Sequence, residues 1–150
     1  AALWLGAHLF PDMEMTGRGL GVVASDNREM ILGLQRDPLV IKHTRVDAMW
    51  GLVNLMDSAL QGSAALRAPA LVLYGVNDQL IAPGPASEMV SRLTRDIPVA
   101  VYESGWHMLL RDLAAETVLE DIAAWIANRD VALASGAVVA GDVKFSRPER

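Results

Sequence analysis

The second half of the sequence predicts an open α/β fold with parallel strands and flanking helices, preceded by a helical region. Two observations carry that expectation. Ala70-Leu71-Val72-Leu73-Tyr74 and Pro98-Val99-Ala100-Val101-Tyr102 are short apolar runs without alternation, the pattern of strands covered on both faces. Each is followed by a glycine-bearing loop and then by an amphipathic stretch, which gives the strand, helix, strand, helix order of an α/β sheet.

The elements follow in order. Residues 1–24 carry apolar clusters broken by Pro11 and by Gly17, Gly19 and Gly21, with no sustained period, and read as a short helix or turn followed by a loop. Ser25 stands where an N-cap would, before Met30, Ile31 and Leu34 at helical spacing. Arg36-Asp37-Pro38 ends that helix, because the residue before proline avoids αR geometry. Thr44-Arg45-Val46-Asp47 resembles a capping box with Asp in place of Glu, and Val46, Met49, Trp50, Val53, Met56 and Leu60 follow at steps of three and four. Gly62-Ser63 ends this helix. Pro85 is placed as an N1 proline of a helix over residues 85–95 whose buried face is Ala86, Met89, Val90 and Leu93. Asp112 can cap a last helix over residues 113–128, with Val118, Leu119, Ile122, Trp125 and Ile126 as its apolar stripe. Small residues dominate from Arg129 onward, and a loosely held tail is expected there. The chain thus divides into a helical part, residues 1–62, a strand-helix-strand-helix part, residues 63–129, and a flexible tail, residues 130–150.

Composition narrows the function classes. With 52% hydrophobic and 21% charged residues the chain is globular rather than disordered. A net charge of −5 without clustered Lys or Arg excludes a phosphate-backbone footprint, so no nucleic acid is expected as a partner. The absence of cysteine removes a disulfide framework, a thiol nucleophile and a Cys-based zinc site, and it fits a reducing, cytoplasmic setting. The opening Ala1-Ala2-Leu3-Trp4-Leu5 has neither an initiator methionine nor the basic start of a signal peptide, as expected of a chain entered midway. Val131 to Gly141 is too short for a bilayer, which needs ~20 apolar residues, so no transmembrane helix is predicted and membrane contact is not indicated.

In an open parallel sheet, reactive groups gather beyond the carboxyl ends of the strands. The first such loop holds Gly75-Val76-Asn77-Asp78-Gln79-Leu80-Ile81-Ala82-Pro83, and the second holds Glu103-Ser104-Gly105-Trp106-His107-Met108-Leu109-Leu110-Arg111-Asp112. A carboxylate and an imidazole therefore stand on the same sheet edge. This is the chemistry that activates a serine: the imidazole takes the hydroxyl proton, and the carboxylate holds the ring in one tautomer and stabilises its cation. Asp78 taken alone also reads as a turn former, since Asp side chains bond their own backbone in such turns.

A strand, G-x-x-D with a proline five residues after the Asp, a helix, a strand, then G-x-H and a helix is similar to the last third of α/β-hydrolases. It most resembles the monoacylglycerol lipase and lysophospholipase group, where the acid is followed by an apolar residue, any residue and proline, as in Ile81-Ala82-Pro83. His107-Met108-Leu109-Leu110-Arg111-Asp112 also has the look of that group. The resemblance implies that Asp78 is the triad acid and His107 the general base. It further implies a serine hydrolase of carboxylic esters, acting on monoacylglycerols or lysophospholipids through an acyl-enzyme, with no cofactor. The family's nucleophile stands on a G-x-S-x-G elbow upstream of the acid. Ser25, Ser58, Ser63, Ser87, Ser91, Ser104, Ser135 and Ser146 all lack that setting, so the nucleophile and the rest of the fold are expected outside this chain, which alone would be inactive. Residues 1 to 62 would then be the remnant of a helical cap and the helix after it.

Gly17-Arg18-Gly19-Leu20-Gly21-Val22 fails the dinucleotide fingerprint, because its last position is Val and no strand precedes it. His8 with Asp12, and His43 with Asp47, have helical spacing for two metal ligands but lack a third, so no metal is assigned. Met49, Trp50 and Met56 form an apolar stripe that is either core or a wall for an acyl chain, and Trp106 either shields the site beside His107 or packs. The rival function class is a non-catalytic binding protein that kept the fold, since fold alone does not specify chemistry.

Overall fold

The computed structural model describes residues 2–17, 19–93, 97–137 and 145. Its elements are α1 (Ala2–Leu9), β1 (Glu14–Met15), α2 (Arg28–Arg36), β2 (Thr44–Arg45), α3 (Val46–Gly62), β3 (Val72–Gly75), α4 (Pro83–Ser91), β4 (Val99–Tyr102) and α5 (Ala115–Ala127), with one 3-10 turn at Ser63–Ala65. β3 and β4 pair in parallel with Val72 opposite Val99 and Gly75 opposite Tyr102, as the two apolar runs predict.

Alternation along these strands feeds two cores. On one side Tyr74 and Val99 pack with Ala86 of α4 and with Phe145, and Val72, Ile81, Val90 and Val101 close around them. On the other side Ala100 and Tyr102 pack with Val118 of α5 and Leu133, joined by Leu71, Leu73, Ile122 and Trp125. One helix per face explains why neither strand alternates apolar with polar. Ahead of this unit, α3 packs on α1 and β2, and β1 pairs antiparallel with β2.

Several boundaries differ from the sequence reading, chiefly where an expected cap serves another partner. α2 is capped by Asn27, whose side chain accepts from Met30 N, while Ser25 is buried against Asp112. Thr44 caps nothing: it lies in the β1–β2 ladder, and α3 starts after Arg45 with no side-chain cap. Asp47 bonds Arg45 instead. α4 begins two residues earlier than expected, with Pro83 at N1, and ends at Ser91; the expected extension to 95 runs into residues outside the described ones. α5 starts at Ala115 without a side-chain cap, because the Asp112 carboxylate is used elsewhere.

Where it is described, the segment expected to be a loose tail makes specific contacts. Leu133 is buried, Ser135 Oγ and N both donate to the buried carboxylate of Asp121, and Val101 N donates to Ala137 O at 2.8 Å. Further on, the Phe145 ring lies 4.4 Å from that of Tyr74. The small residues that suggested looseness let the chain lie against β4. Among the described residues no helix is long and apolar enough to cross a membrane.

Candidate active site

The two strand-end loops are locked to each other before any catalytic side chain is considered. Val76 N donates to Tyr102 O, Asn77 N to Gly105 O at 2.9 Å and Asn77 Nδ2 to Glu103 O at 3.0 Å. This crossing leaves no room for a Cβ on Gly75 and little for one on Gly105. A Cβ on Gly75 would stand 2.5 Å from the carbonyl carbon of Gly105 and 2.6 Å from Trp106 O, and one on Gly105 would stand 3.0 Å from Gly75 Cα.

Asp78 follows immediately. Its Oδ1 accepts from Leu80 N at 2.7 Å and Ile81 N at 2.9 Å, the Asx turn that any aspartate makes here. That turn aims Oδ2 across the gap, where it lies 2.9 Å from His107 Nδ1. The turn and the bond to His107 are therefore made by one residue using its two oxygens separately. The Asp78 side chain is 8% exposed and that of His107 36% exposed, so the carboxylate is sheltered while the imidazole stays open to a reactant. A carboxylate only accepts, so the bonding proton lies on Nδ1, and Nε2 is left as the basic nitrogen.

Both residues line an open cleft of about 1050 Å³. Leu60, Leu66, Ile81, Met89 and Phe145 make its walls mostly apolar. Met56 and Trp106 line it too, whereas Met49 and Trp50, half-buried on α3, are not part of its lining. Among the described residues no serine hydroxyl is hydrogen-bonded to His107: those of Ser25, Ser58, Ser63, Ser91 and Ser135 bond elsewhere. Ser146 lies outside the described residues.

The sequence profile of the family described as serine aminopeptidase, S33, matches residues 1–114. The chain belongs to that family. A monoacylglycerol lipase of Mycolicibacterium smegmatis is 31% identical over 107 residues, which cover 69% of this chain and 38% of the relative. The crystal structure of the Paleococcus ferrophilus monoacylglycerol lipase superposes with a TM-score of 0.73 at 18% identity, covering 83% of this chain and 49% of that one. The chain thus spans less than half the length of each of these relatives, and its fold is that of part of an α/β-hydrolase.

The other pairs weighed from sequence serve local structure. His8 Nδ1 bonds Trp4 O, its ring 4.4 Å from that of Trp4, and Asp12 pairs with Arg45. His43 lies 3.6 Å from Glu14. Among the described residues no three His, Asp or Glu side chains converge as a metal site. Gly19 and Gly21 have positive φ in the loop weighed against the dinucleotide fingerprint, and Arg18, just before Gly19, lies outside the described residues. Sequence reasoning missed Ser25 and Asp112 as partners. They lie 87 residues apart and read separately as helix caps, a local signal that hides a distant bond.

Proposed function

We propose that this chain supplies the acid and the base of a serine hydrolase of carboxylic esters, with monoacylglycerols or lysophospholipids as substrates. The nucleophilic serine and the oxyanion-hole amides come from protein outside these 150 residues, and residues 1–62 are the remnant of its helical cap with the helix that follows. The observation that carries this reading is the Asp78–His107 hydrogen bond of 2.9 Å at the wall of a large apolar cleft. The membership of the S33 family supports it, and the relative from M. smegmatis is named for the same ester class.

In this mechanism His107 Nε2 takes the serine proton as the hydroxyl oxygen attacks the ester carbonyl, and then delivers that proton to the departing alcohol. Water repeats the sequence on the acyl-enzyme and releases the fatty acid. Asp78 fixes the ring through Nδ1 and offsets the imidazolium charge. Met56 and Trp106 border the acyl chain, and no cofactor takes part.

The test is steady-state kinetics of the complete enzyme on one monoacylglycerol and one lysophospholipid. Asp78→Asn keeps the shape while removing the charge, a change that costs ~10⁴ in kcat in the serine-protease template. His107→Ala removes the proton acceptor and is expected to be at least as severe. Asn77→Ala, which loses one tie between the loops without touching the imidazole, should cost far less. Near wild-type kcat in both Asp78→Asn and His107→Ala would defeat the assignment in favour of a non-catalytic binding protein.

A further inference from the structure

His107 lies in a run of turns over residues 103–114, so its place is set by whatever holds that run. The N–H groups of the residues on either side of it are tied to one short stretch of chain, one directly and one through Asp112. Met108 N donates to Ala24 O at 3.0 Å. Trp106 N donates to Asp112 Oδ2 at 2.8 Å, and Asp112 Oδ1 accepts from Ser25 Oγ at 2.5 Å. Both members of this last bond are buried, Ser25 at 4% and Asp112 at 5% exposure. Ser25 Oγ in turn accepts from Asn27 N, and Asn27 Nδ2 donates to Arg111 O. At the other end of the same stretch, Val23 N donates to the side chain of Gln79, the neighbour of Asp78, at 2.9 Å. Residues 23–27 have no regular secondary structure, yet they grip the loop of the acid and the loop of the base together.

We infer that the strap formed by residues 23–27, acting through the buried Ser25–Asp112 hydrogen bond, positions His107 against Asp78, so that Ser25 and Asp112 are positioning residues of the site. The kinetic part of this statement rests on the hydrolytic function proposed above; the geometric part does not. Removing the Ser25 hydroxyl leaves one oxygen of a buried carboxylate without its donor, and the carboxylate turns or admits water to recover one. Either response loosens its grip on Trp106 N, the amide directly before His107. Asp112→Asn is the conservative change. Its amide oxygen still accepts from Trp106 N, and its NH2 donates to Ser25 Oγ, which has a second lone pair to give.

The experiment follows three quantities in the complete protein and in Ser25→Ala, Asp112→Ala, Asp112→Asn and Tyr102→Phe. They are kcat and KM on a monoacylglycerol, the downfield proton NMR resonance of His107 Nδ1–H, and the melting temperature. Ser25→Ala and Asp112→Ala are expected to lose roughly 10- to 100-fold in kcat with little change in KM, the scale of a misplaced catalytic group. Their Nδ1 resonance should weaken or broaden. Asp112→Asn should stay within about threefold of wild type on the same reasoning. Tyr102→Phe removes a buried bond outside the strap, to Asp121 beneath α5, and should lower the melting temperature while keeping kcat and the resonance. If Asp112→Ala fails to fold, Ser25→Ala carries the test.

Unchanged kcat and resonance in Ser25→Ala, with only a lower melting temperature, would make the strap merely structural and overturn the inference. Absence of the resonance in the unmodified protein would overturn it as well. An unmodified protein that hydrolyses neither ester, yet loses the resonance in Ser25→Ala, would refute the proposed function and leave the positioning role standing.

Discussion

Asp78 shows how one side chain satisfies both a bland and a specific reading. Its turn-forming oxygen bonds two backbone amides, which holds the other oxygen on His107. Legibility at this scale came from residue types with few roles: an aspartate and a histidine just past two strand ends are visible without coordinates. Glycine was less legible, because its reason lies in the neighbouring loop. Gly75 and Gly105 pass each other at a separation that leaves no room for a methyl group. The two differ in what they would strike. A Cβ on Gly75 meets backbone of Gly105 and Trp106, which cannot turn aside, whereas the closest atom to one on Gly105 is the end of the Leu109 side chain. Gly75→Ala is therefore expected to destabilise by about 1–3 kcal/mol, the usual range for overpacking, and Gly105→Ala by less. Gly75→Ala should also pull the Asp78 and His107 loops apart. Denaturant titration ranks the two variants, and equal or reversed losses would contradict the contact geometry.

At the scale of elements, the periodic patterns were read well and their ends were not. β3, β4, α3, α4 and α5 all lie where apolar spacing placed them, since burial of a whole face outweighs local alternatives. The ends depend on single polar side chains, and Ser25, Thr44 and Asp112 each had a competing tertiary partner that no local rule reveals. The two-residue strands β1 and β2 carry no periodic signal at all. Tyr102 illustrates a polar group hidden inside a strand that reads as apolar. Its hydroxyl donates to Asp121 Oδ2 at 2.9 Å beneath α5, where Asp121 is fully buried and also receives Ser135. Burial, then the hydrogen bond to that carboxylate and its charge, pushes the phenol well above the ordinary tyrosine range. An unfolded tyrosine releases its proton near pH ~10, while the folded one holds it to higher pH, so the unfolded state gains relative stability across that interval. The stabilisation by Tyr102 is thus present below pH ~10 and lost as pH rises above it. Urea melts of wild type and Tyr102→Phe from pH 9 to 11 should show the wild-type advantage shrinking, and a constant gap would refute the linkage.

For the molecule as a whole, the parallel sheet of the described residues has two strands, β3 and β4, with one helix on each face. A sheet this small is marginal by itself, because three or more strands or substantial further packing are normally needed for independent stability. The apolar cleft of about 1050 Å³ opens beside β3 and is lined by Val72, Leu73 and Tyr74 from the strand itself. On α3, Leu52, Leu55 and Met56 are also exposed. Contiguous apolar surface of this kind favours association when nothing covers it. The relatives carry more than twice the matched length, which is enough chain to supply both further strands and a nucleophile. Prepared alone, the 150-residue chain is therefore expected to melt broadly at low temperature, to associate as its concentration rises, and to turn over no ester. A thermal melt, sedimentation across a concentration series, and hydrolysis of a short-chain ester with and without an active-site serine reagent measure these three in turn. On the function proposed above, adding protein that supplies the remaining strands and the serine should sharpen the melt, suppress association and restore reagent-sensitive turnover together, since one docking event would cover the cleft and bring a serine to His107. A sharp melt from a monomer at every concentration, with turnover that the reagent abolishes, would mean that the chain holds its own nucleophile and that the cleft is a finished pocket.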